Sequence, residues 1–168
     1  APAACSAIDE SWQIDLVDTG HATKTGGRIR RLAAQLTTTF FLTYGDGVSD
    51  VDLNALLAFH RAHGRLATLT AVHPPPRFGH LELRGDQVVT FAEKAKLDTG
   101  WINGGFFVME PQVLEYIAGD DVDLSHTPLE NLARDGQLMG YKHDGFWQCV
   151  DTPEDKLLLE ARWERLGG

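Results

Sequence analysis

With 168 residues, 43% of them hydrophobic and 23% charged, the chain fits one globular domain and contains no apolar run long enough to cross a membrane. Its net charge of −9 argues against a nucleic-acid partner, because phosphate contacts there need clustered Lys and Arg. An acidic protein that handles phosphates is expected to need a metal ion.

The first residues and the cysteines set expectations about processing and compartment. The opening residues lack the basic region and apolar core of a signal peptide, so we expect a loose leader or cut edge at 1–11 and a single domain at 12–168. Cys5 and Cys149 lie far apart without metal-ligand spacing, which favours a reducing cytoplasm over a disulfide framework.

Strand-like and helix-like runs alternate between residues 12 and 76. Alternating or β-branched runs predict strands at 12–20, 39–47 and 65–76. Apolar residues three and four apart predict helices at 26–36 and 50–64. The second helix has an acidic residue to cap its start, a glycine to end it and a buried apolar stripe: Asp50 or Asp52, Gly64, and Leu53, Leu56, Leu57 and Phe59.

The second half is less regular but continues the alternation. We predict a hairpin at 80–94 that turns at Gly85-Asp86, and strands at 102–111 and 137–152. Helices are predicted to begin near Pro111, near Pro128 and at Thr152-Pro153. The alternation predicts an α/β fold with a mixed, mostly parallel sheet flanked by helices.

Asp46 follows the apolar run of the second predicted strand, between two glycines. Ligands of parallel sheets gather beyond the carboxyl ends of the strands, so this carboxylate is expected to face a ligand crevice. Its hard oxygens suit Mg²⁺, and the glycines allow the backbone to approach a ligand closely. A plain Asp-Gly turn is the alternative.

Asp151 ends a strand in a similar way. Strand alternation places Trp147, Cys149 and Asp151 on one face, so Asp151 is a second candidate metal ligand. The alternative is that it caps the last helix or interacts with that helix's dipole.

Taken together, several long motifs in a fixed order resemble the sugar-nucleotide pyrophosphorylases, and within them the branch that makes CDP-glucose. They are "LVDTG", "TGGRIRR", "TYGDGVSDVD", "HGRLATLTAVHPPPRFG", "INGGFFV" and "DGFWQCVDTPED", and the resemblance extends over nearly the whole chain from about Trp12. It implies a Rossmann-like sheet of the nucleotide-diphospho-sugar transferase type.

The resemblance also implies an activity: transfer of a cytidylyl group from CTP to α-D-glucose 1-phosphate, with Mg²⁺ as the metal and pyrophosphate as the second product. The family feeds CDP-linked dideoxysugars into bacterial surface polysaccharide such as the O-antigen of lipopolysaccharide. Such chemistry needs no protein nucleophile, because positioning and charge neutralisation supply most of the catalysis.

Matching motifs carry roles onto particular residues. Asp46 and Asp151 match the metal-binding carboxylates, and Lys94 matches the lysine that meets the sugar phosphate. The remaining matches are substrate contacts: Thr23, Gly26 and Arg28 with Gly45 on the nucleotide side, and Glu93, Asn103 and Gly104 on the sugar side. Without the resemblance, Lys94 and Arg28 are also typical of solvated surface charges.

The chain also departs from the family pattern. It contains neither the glycine-rich G-G-x-G-T-R loop nor the P-K-P-M segment with which the family begins, so the triphosphate cradle and a basic residue are missing. Ala95 stands where the family usually has proline. We expect these residues to belong to a longer polypeptide, since lost opening strands would expose sheet edges. Such edges also favour a homo-oligomer.

Two rival functions remain open at this point. One is a non-catalytic domain that binds a nucleotide sugar, and the other is the same chemistry with UTP, dTTP or another sugar phosphate.

Overall fold

A computed structural model describes residues 13–74, 80–84, 87–92 and 100–165. In chain order, its strands are β1 (Phe40–Thr43), β2 (Gly47–Ser49), β3 (Ala67–Val72), β4 (His80–Arg84), β5 (Gln87–Ala92), β6 (Ile102–Met109), β7 (Leu138–Lys142) and β8 (Trp147–Cys149). The helices are α1 (Thr25–Arg31), α2 (Leu53–His63), α3 (Thr127–Arg134) and α4 (Pro153–Arg165), with a 3-10 helix at Pro111–Tyr116.

Four of the strands form the main sheet, in the order β1-β6-β3-β7. Strand β6 pairs antiparallel with both β1 and β3, and β7 pairs parallel with β3. Three strands therefore run in one direction and β6 runs against them. The predicted mixed α/β fold is confirmed, and the antiparallel β6 lies in the middle of the sheet.

Helices cover both faces of this sheet. Phe107 and Met109 of β6 face the larger core, into which α1, α3 and the 3-10 helix place Ile29, Leu129, Leu132 and Val113. Val108, which lies between Phe107 and Met109 on β6, is paired with Thr68 and points to the opposite face of the sheet. On that face, His60 of α2 contacts Thr68. Alternation along β3 and β6 thus gives each face its own helices.

The predicted strand at 12–20 is not found: residues 13–20 form neither helix nor strand. Leu16 is 95% exposed and Ile14 is 59% exposed. A strand needs a neighbour to accept its backbone hydrogen bonds, and within the described residues none lies beside this segment. Asp18 instead accepts the backbone N–H of Gly20 and starts a turn.

Helix α2 has the predicted ends and most of the predicted buried stripe. The Asp52 carboxylate accepts the backbone N–H groups of Asn54 and Ala55 at 2.8 and 3.0 Å, and Gly64 ends the helix with a left-handed φ of 62°. Asp52, not Asp50, is therefore the N-cap. Leu56 is fully buried and Leu57 and Phe59 are partly buried, but Leu53, in the first turn, is half exposed.

The predicted hairpin is also present, since β4 pairs antiparallel with β5. Its turn at Gly85-Asp86 lies outside the described residues. No helix in the described ranges is both long and apolar enough to cross a membrane.

A chain of polar side chains connects the end of α2 to the sheet. The backbone N–H of Arg65 donates to His63 Nδ1, so neutral His63 carries its proton on Nε2 and donates to Thr68 Oγ1 at 2.7 Å. The Thr68 hydroxyl then donates to His60 Nδ1 at 2.8 Å, and His60 Nε2 donates to Glu110 at 3.1 Å. In this arrangement each proton along the chain has one acceptor.

Burial and the nearby His60 and Arg65 lower the pKa of His63 below 6.5. Partial burial alone would raise the pKa of Glu110, but hydrogen bonds from Thr39 and His60, with the charges of His60 and Arg61, lower it below 4.5. The unfolded chain therefore binds protons at both residues more readily than the folded chain does.

We therefore expect the free energy of unfolding to fall as the pH drops below about 6.5, first through His63 and then, below about 4.5, through Glu110. Urea unfolding at pH 7.5 and pH 5.5 checks the first step. His63→Gln cannot titrate and should lose less stability than the wild type over this interval. An equal loss in both proteins would show that His63 is not responsible.

Candidate active site

The two candidate metal ligands meet at a small ladder outside the main sheet. Strands β2 and β8 pair antiparallel with Gly47 opposite Cys149, and the N–H of Val150 donates to the carbonyl of Asp46 at 2.8 Å. This register puts Asp46 opposite Val150 and Asp151 one position further along. Both residues are exposed, and the pairing brings the backbones of two residues that are 105 positions apart in the chain within one ladder position of each other.

Tyr44 anchors the turn that carries Asp46. Its backbone N–H donates to the Gly105 carbonyl, its hydroxyl lies 2.7 Å from Ser125 Oγ, and its ring meets Phe107 edge to face. Gly105 has a φ of 78°, and a side chain there would lie 2.9 Å from the Tyr44 ring. Gly45 follows on the exposed side with open space around its Cα, as expected of a close approach to a ligand.

The preceding strand is not the buried strand that the apolar run predicts. β1 lies at the edge of the main sheet, alternates between half-buried and exposed positions, and leaves Phe41 48% exposed. The apolar run reflects an edge strand covered on one face, and it still delivers Asp46 to the end of the strand.

Thr152, not Asp151, caps the last helix. The Thr152 hydroxyl accepts the N–H of Asp155 at 3.2 Å, and the Asp155 carboxylate accepts the N–H of Thr152 at 3.0 Å and that of Asp151 at 3.2 Å. This reciprocal arrangement is a capping box. The alternative role of Asp151 as the cap is therefore wrong, and Asp155, which is 8% exposed, holds the backbone of Asp151 in place.

We expect Asp155→Ala to lower the free energy of unfolding by about 2 kcal/mol, because the box is lost and two backbone donors at a partly buried site lose their acceptor. Asp155→Asn keeps one acceptor oxygen and should lose less. Urea unfolding measures both, with the exposed neighbour Glu154→Ala as the control. Equal stability of Asp155→Ala and Glu154→Ala would contradict a supporting role for Asp155.

A second polar cluster braces the other end of the ladder. Asp50 Oδ1 accepts the N–H of Phe146 at 2.8 Å and lies 2.9 Å from His143 Nε2, while Ser49 Oγ donates to the Phe146 carbonyl. Phe146 also receives the guanidinium of Arg162 over its ring at 3.9 Å. These contacts connect β2, the 143–146 loop and α4, and so fix the direction from which β8 approaches Asp46.

Asn103 and Gly104, the predicted sugar-side residues, lie at the start of β6 beside the ladder. The Asn103 side-chain oxygen accepts the N–H of Gly105, and the Gly104 carbonyl accepts Trp147 Nε1 at 2.7 Å. A side chain at Gly104 would lie 2.9 Å from Val72. Gly104 thus lets β6 approach β3 closely, and Trp147 ties β8 to the main sheet.

The predicted nucleotide-side residues lie at and before α1. Thr23 is buried before the helix, and the Arg28 guanidinium donates to Thr19 Oγ1 at 2.8 Å and to the His21 carbonyl. Gly26 is buried against residues 120–124, where its N–H donates to the Val122 carbonyl at 2.9 Å. That segment continues to Ser125, the partner of Tyr44, so α1 reaches the Asp46 turn through one intervening loop.

Glu93 and Lys94 lie outside the described residues. Their assignment as sugar-hydroxyl and sugar-phosphate contacts stays a prediction.

The donor set of the ladder fits a hard divalent cation. Mg²⁺ is usually held by one or two carboxylates, and substrate phosphates and water complete its octahedron. Within the described ranges, no three His, Cys, Asp or Glu side chains group around a common point. The assignment of Asp46 and Asp151 as Mg²⁺ ligands stays a prediction.

Sequence patterns did not identify four residues that shape this site. By the sequence pattern, Tyr44 and Trp147 are aromatic residues of predicted strands, and Asp50 is a possible cap of the second helix. Only Asp155 had a local signal, since Thr152 and Asp155 have the spacing of a capping box.

Comparison with known proteins gives consistent results. The sequence profile of the family described as nucleotidyl transferase matches residues 18–156. Glucose-1-phosphate cytidylyltransferase of Salmonella typhimurium is 49% identical over 158 residues, which are 93% of this chain and 62% of the relative. Mannose-1-phosphate guanylyltransferase of Mycobacterium tuberculosis is 34% identical over 151 residues, 85% of this chain and 42% of that protein. The chain thus spans about 62% of the length of the cytidylyltransferase that it matches.

A solved structure supports the fold. HddC from Yersinia pseudotuberculosis superposes with a TM-score of 0.63 at 19% identity, over 85% of this chain and 64% of its own.

Proposed function

The chain belongs to the nucleotidyl transferase family, and we propose that it acts as a glucose-1-phosphate cytidylyltransferase. In this reaction, a phosphate oxygen of glucose 1-phosphate attacks the α-phosphorus of CTP. The new O–P bond replaces the bond to the β-phosphate bridging oxygen, and pyrophosphate leaves. The observation that supports the proposal is the β2–β8 pairing, which brings the backbones of Asp46 and Asp151 within one ladder position, in a chain 49% identical over 158 residues to an enzyme of that name.

Asp46 and Asp151 would hold Mg²⁺ in this proposal. When bound, the metal would neutralise phosphate charge and help to align the reacting groups. The protein's own contribution is orientation, because the reaction needs no covalent intermediate on a side chain. Tyr44 holds the turn that carries Asp46, and Asp155 holds the backbone of Asp151. Both backbone segments are therefore positioned by contacts within the protein.

The sugar and nucleotide sides have separate supports. Asn103 would donate its side-chain amide to a sugar hydroxyl, from a strand end that Trp147 holds against β8. Thr23 and Arg28 would contact CTP, and Gly45 leaves room for the nucleotide beside Asp46. The surroundings of Gly26 indicate a close contact between α1 and the Val122 segment, so its assignment as a CTP contact is the least supported of the set.

Pyrophosphate release tests the proposal directly. The 168-residue chain is incubated with CTP, glucose 1-phosphate and Mg²⁺, and folding is confirmed in parallel by circular dichroism. Release that depends on all three components, and that is lower with UTP or dTTP in place of CTP, would support the proposal for the chain itself. Folded protein that binds CDP-glucose without releasing pyrophosphate would refute the enzyme assignment for this chain and support a binding domain. Faster release with UTP or dTTP would refute the assignment of the base.

A further inference from the structure

A cavity of about 390 Å³ lies at the far end of the sheet from the candidate active site. It is formed where α2 ends, where β3 begins and where the chain leaves β6. Its polar lining comes from His60, Arg61, Arg65, Glu110 and Gln112. The volume falls within the range of small-molecule sites, roughly 300–1,000 Å³.

The position of this cavity separates it from the reaction site. The cavity lies at the Ala67 end of β3 and just after Met109 of β6, whereas Asn103 and Gly104 lie near the opposite ends of the same strands. Strands rise about 3.3 Å per residue, so the two sites are roughly 20 Å apart. One ligand of nucleotide-sugar size is therefore not expected to fill both.

Two guanidinium groups lie on the cavity wall. Arg61 and Arg65 are both exposed, and within the described ranges neither guanidinium forms an ion pair or a hydrogen bond with a side chain. The dipole of α2 accounts for Arg61, which is in the last turn. It does not account for Arg65, which follows the cap Gly64. A guanidinium can bind a phosphate through two parallel hydrogen bonds.

Glu110 also lines the cavity and supplies a carboxylate. Its Oε1 accepts hydrogen bonds from Thr39 Oγ1 at 2.8 Å and from His60 Nε2 at 3.1 Å. These two bonds hold the carboxylate in a fixed orientation on the lining. His60 is itself only 1% exposed. A bare anion would be repelled by this carboxylate, but a hydroxyl group can donate to it. The cavity therefore combines groups that bind phosphate with a group that binds hydroxyls.

We propose that this cavity is a second ligand site, for a small phosphate ester that carries hydroxyl groups, with the phosphate on Arg61 and Arg65 and a hydroxyl on Glu110. The proposal does not depend on the proposed reaction, because the site can be tested by binding alone, without CTP or turnover.

Glucose 6-phosphate is a suitable probe, with inorganic phosphate and glucose as its two halves. Titration calorimetry measures affinity, and the imidazole resonances of His60 report whether the ligand sits in the cavity. We expect the ester to bind more tightly than either half and to shift the His60 resonances. The double change Arg61→Ala and Arg65→Ala should weaken binding at least about tenfold, since hydrogen bonds to charged groups are lost.

Two controls separate this site from other sources of binding. Arg134→Ala removes an exposed charge elsewhere and should leave the affinity unchanged. Asp46→Asn alters the candidate reaction site and should also leave this affinity unchanged. Because Arg61 and Arg65 are exposed, the double variant should fold, and its urea unfolding curve checks that.

Three results would overturn the proposal. They are an unchanged affinity in the folded double variant, binding that leaves His60 unshifted, and inorganic phosphate binding as tightly as the ester. The last would show a simple anion site. A fourth result, loss of probe binding in Asp46→Asn alone, would also overturn the proposal, because it would place the probe in the reaction site.

Discussion

Replacing Asp46 with asparagine is expected to reduce Mg²⁺-dependent pyrophosphate release at least about 100-fold, because a charge-stabilising group is lost where phosphate charge is concentrated. Asp151→Asn should have a similar effect, since the proposal assigns both carboxylates to one ion and the β2–β8 pairing brings their backbones together. The double variant should be little worse than the weaker single variant, because residues that hold one ion act as a unit. Initial rates at saturating CTP and glucose 1-phosphate measure all three.

Asp52→Asn is the matched control for this experiment. It makes the same aspartate-to-asparagine change, and removes the same charge, six residues after Asp46. Asp52 caps α2, and asparagine is about as good a cap as aspartate, so neither folding nor activity should change much. Equal rates in Asp46→Asn and Asp52→Asn would remove the basis for the metal assignment. Titration of Mg²⁺-dependent CTP binding gives the same comparison without turnover.

Gly26→Ala is expected to lower the free energy of unfolding by about 2 kcal/mol or more. The added Cβ would lie 2.6 Å from the carbonyl oxygen of Val122, and a backbone atom cannot move aside as a flexible side chain can. The loss should exceed the roughly 1 kcal/mol that alanine gains over glycine within a helix. Urea unfolding measures the change.

Gly119→Ala is the control for Gly26→Ala, because nothing lies within 4 Å of the Cβ it would add and its φ is not positive. It should leave stability unchanged or raise it slightly. The comparison also decides what Gly26 does. Normal stability with weaker CTP binding in Gly26→Ala would show that Gly26 contacts the nucleotide, as the family resemblance implies, and would contradict a packing role.

Local patterns predicted most elements of this fold because their signals are local. The cap and end of α2 depend on Asp52 and Gly64, which act on backbone within one turn. The start of α4 at Pro153 depends in the same way on Thr152 and its neighbours. The motifs that resemble the sugar-nucleotide pyrophosphorylases likewise identified the family that the profile match shows.

Tertiary structure decided the features that depend on residues far apart in the chain. The apolar alternation of 12–20 predicted a strand, but a strand exists only where a neighbouring strand accepts its hydrogen bonds. That Thr152 and not Asp151 caps the last helix depended on the position of Asp155.

The sequence by itself determined the α/β class, the family and most helix ends, and it identified Asp46 and Asp151 as candidate metal ligands. Only the tertiary structure decided that β6 runs antiparallel in the middle of the sheet, that β2 and β8 bring the backbones of those two residues to one ladder, and that Arg61, Arg65 and Glu110 share a cavity. The physical reason is range: capping and periodicity act over a few residues, whereas strand pairing and burial join segments whose separation leaves no trace in local sequence.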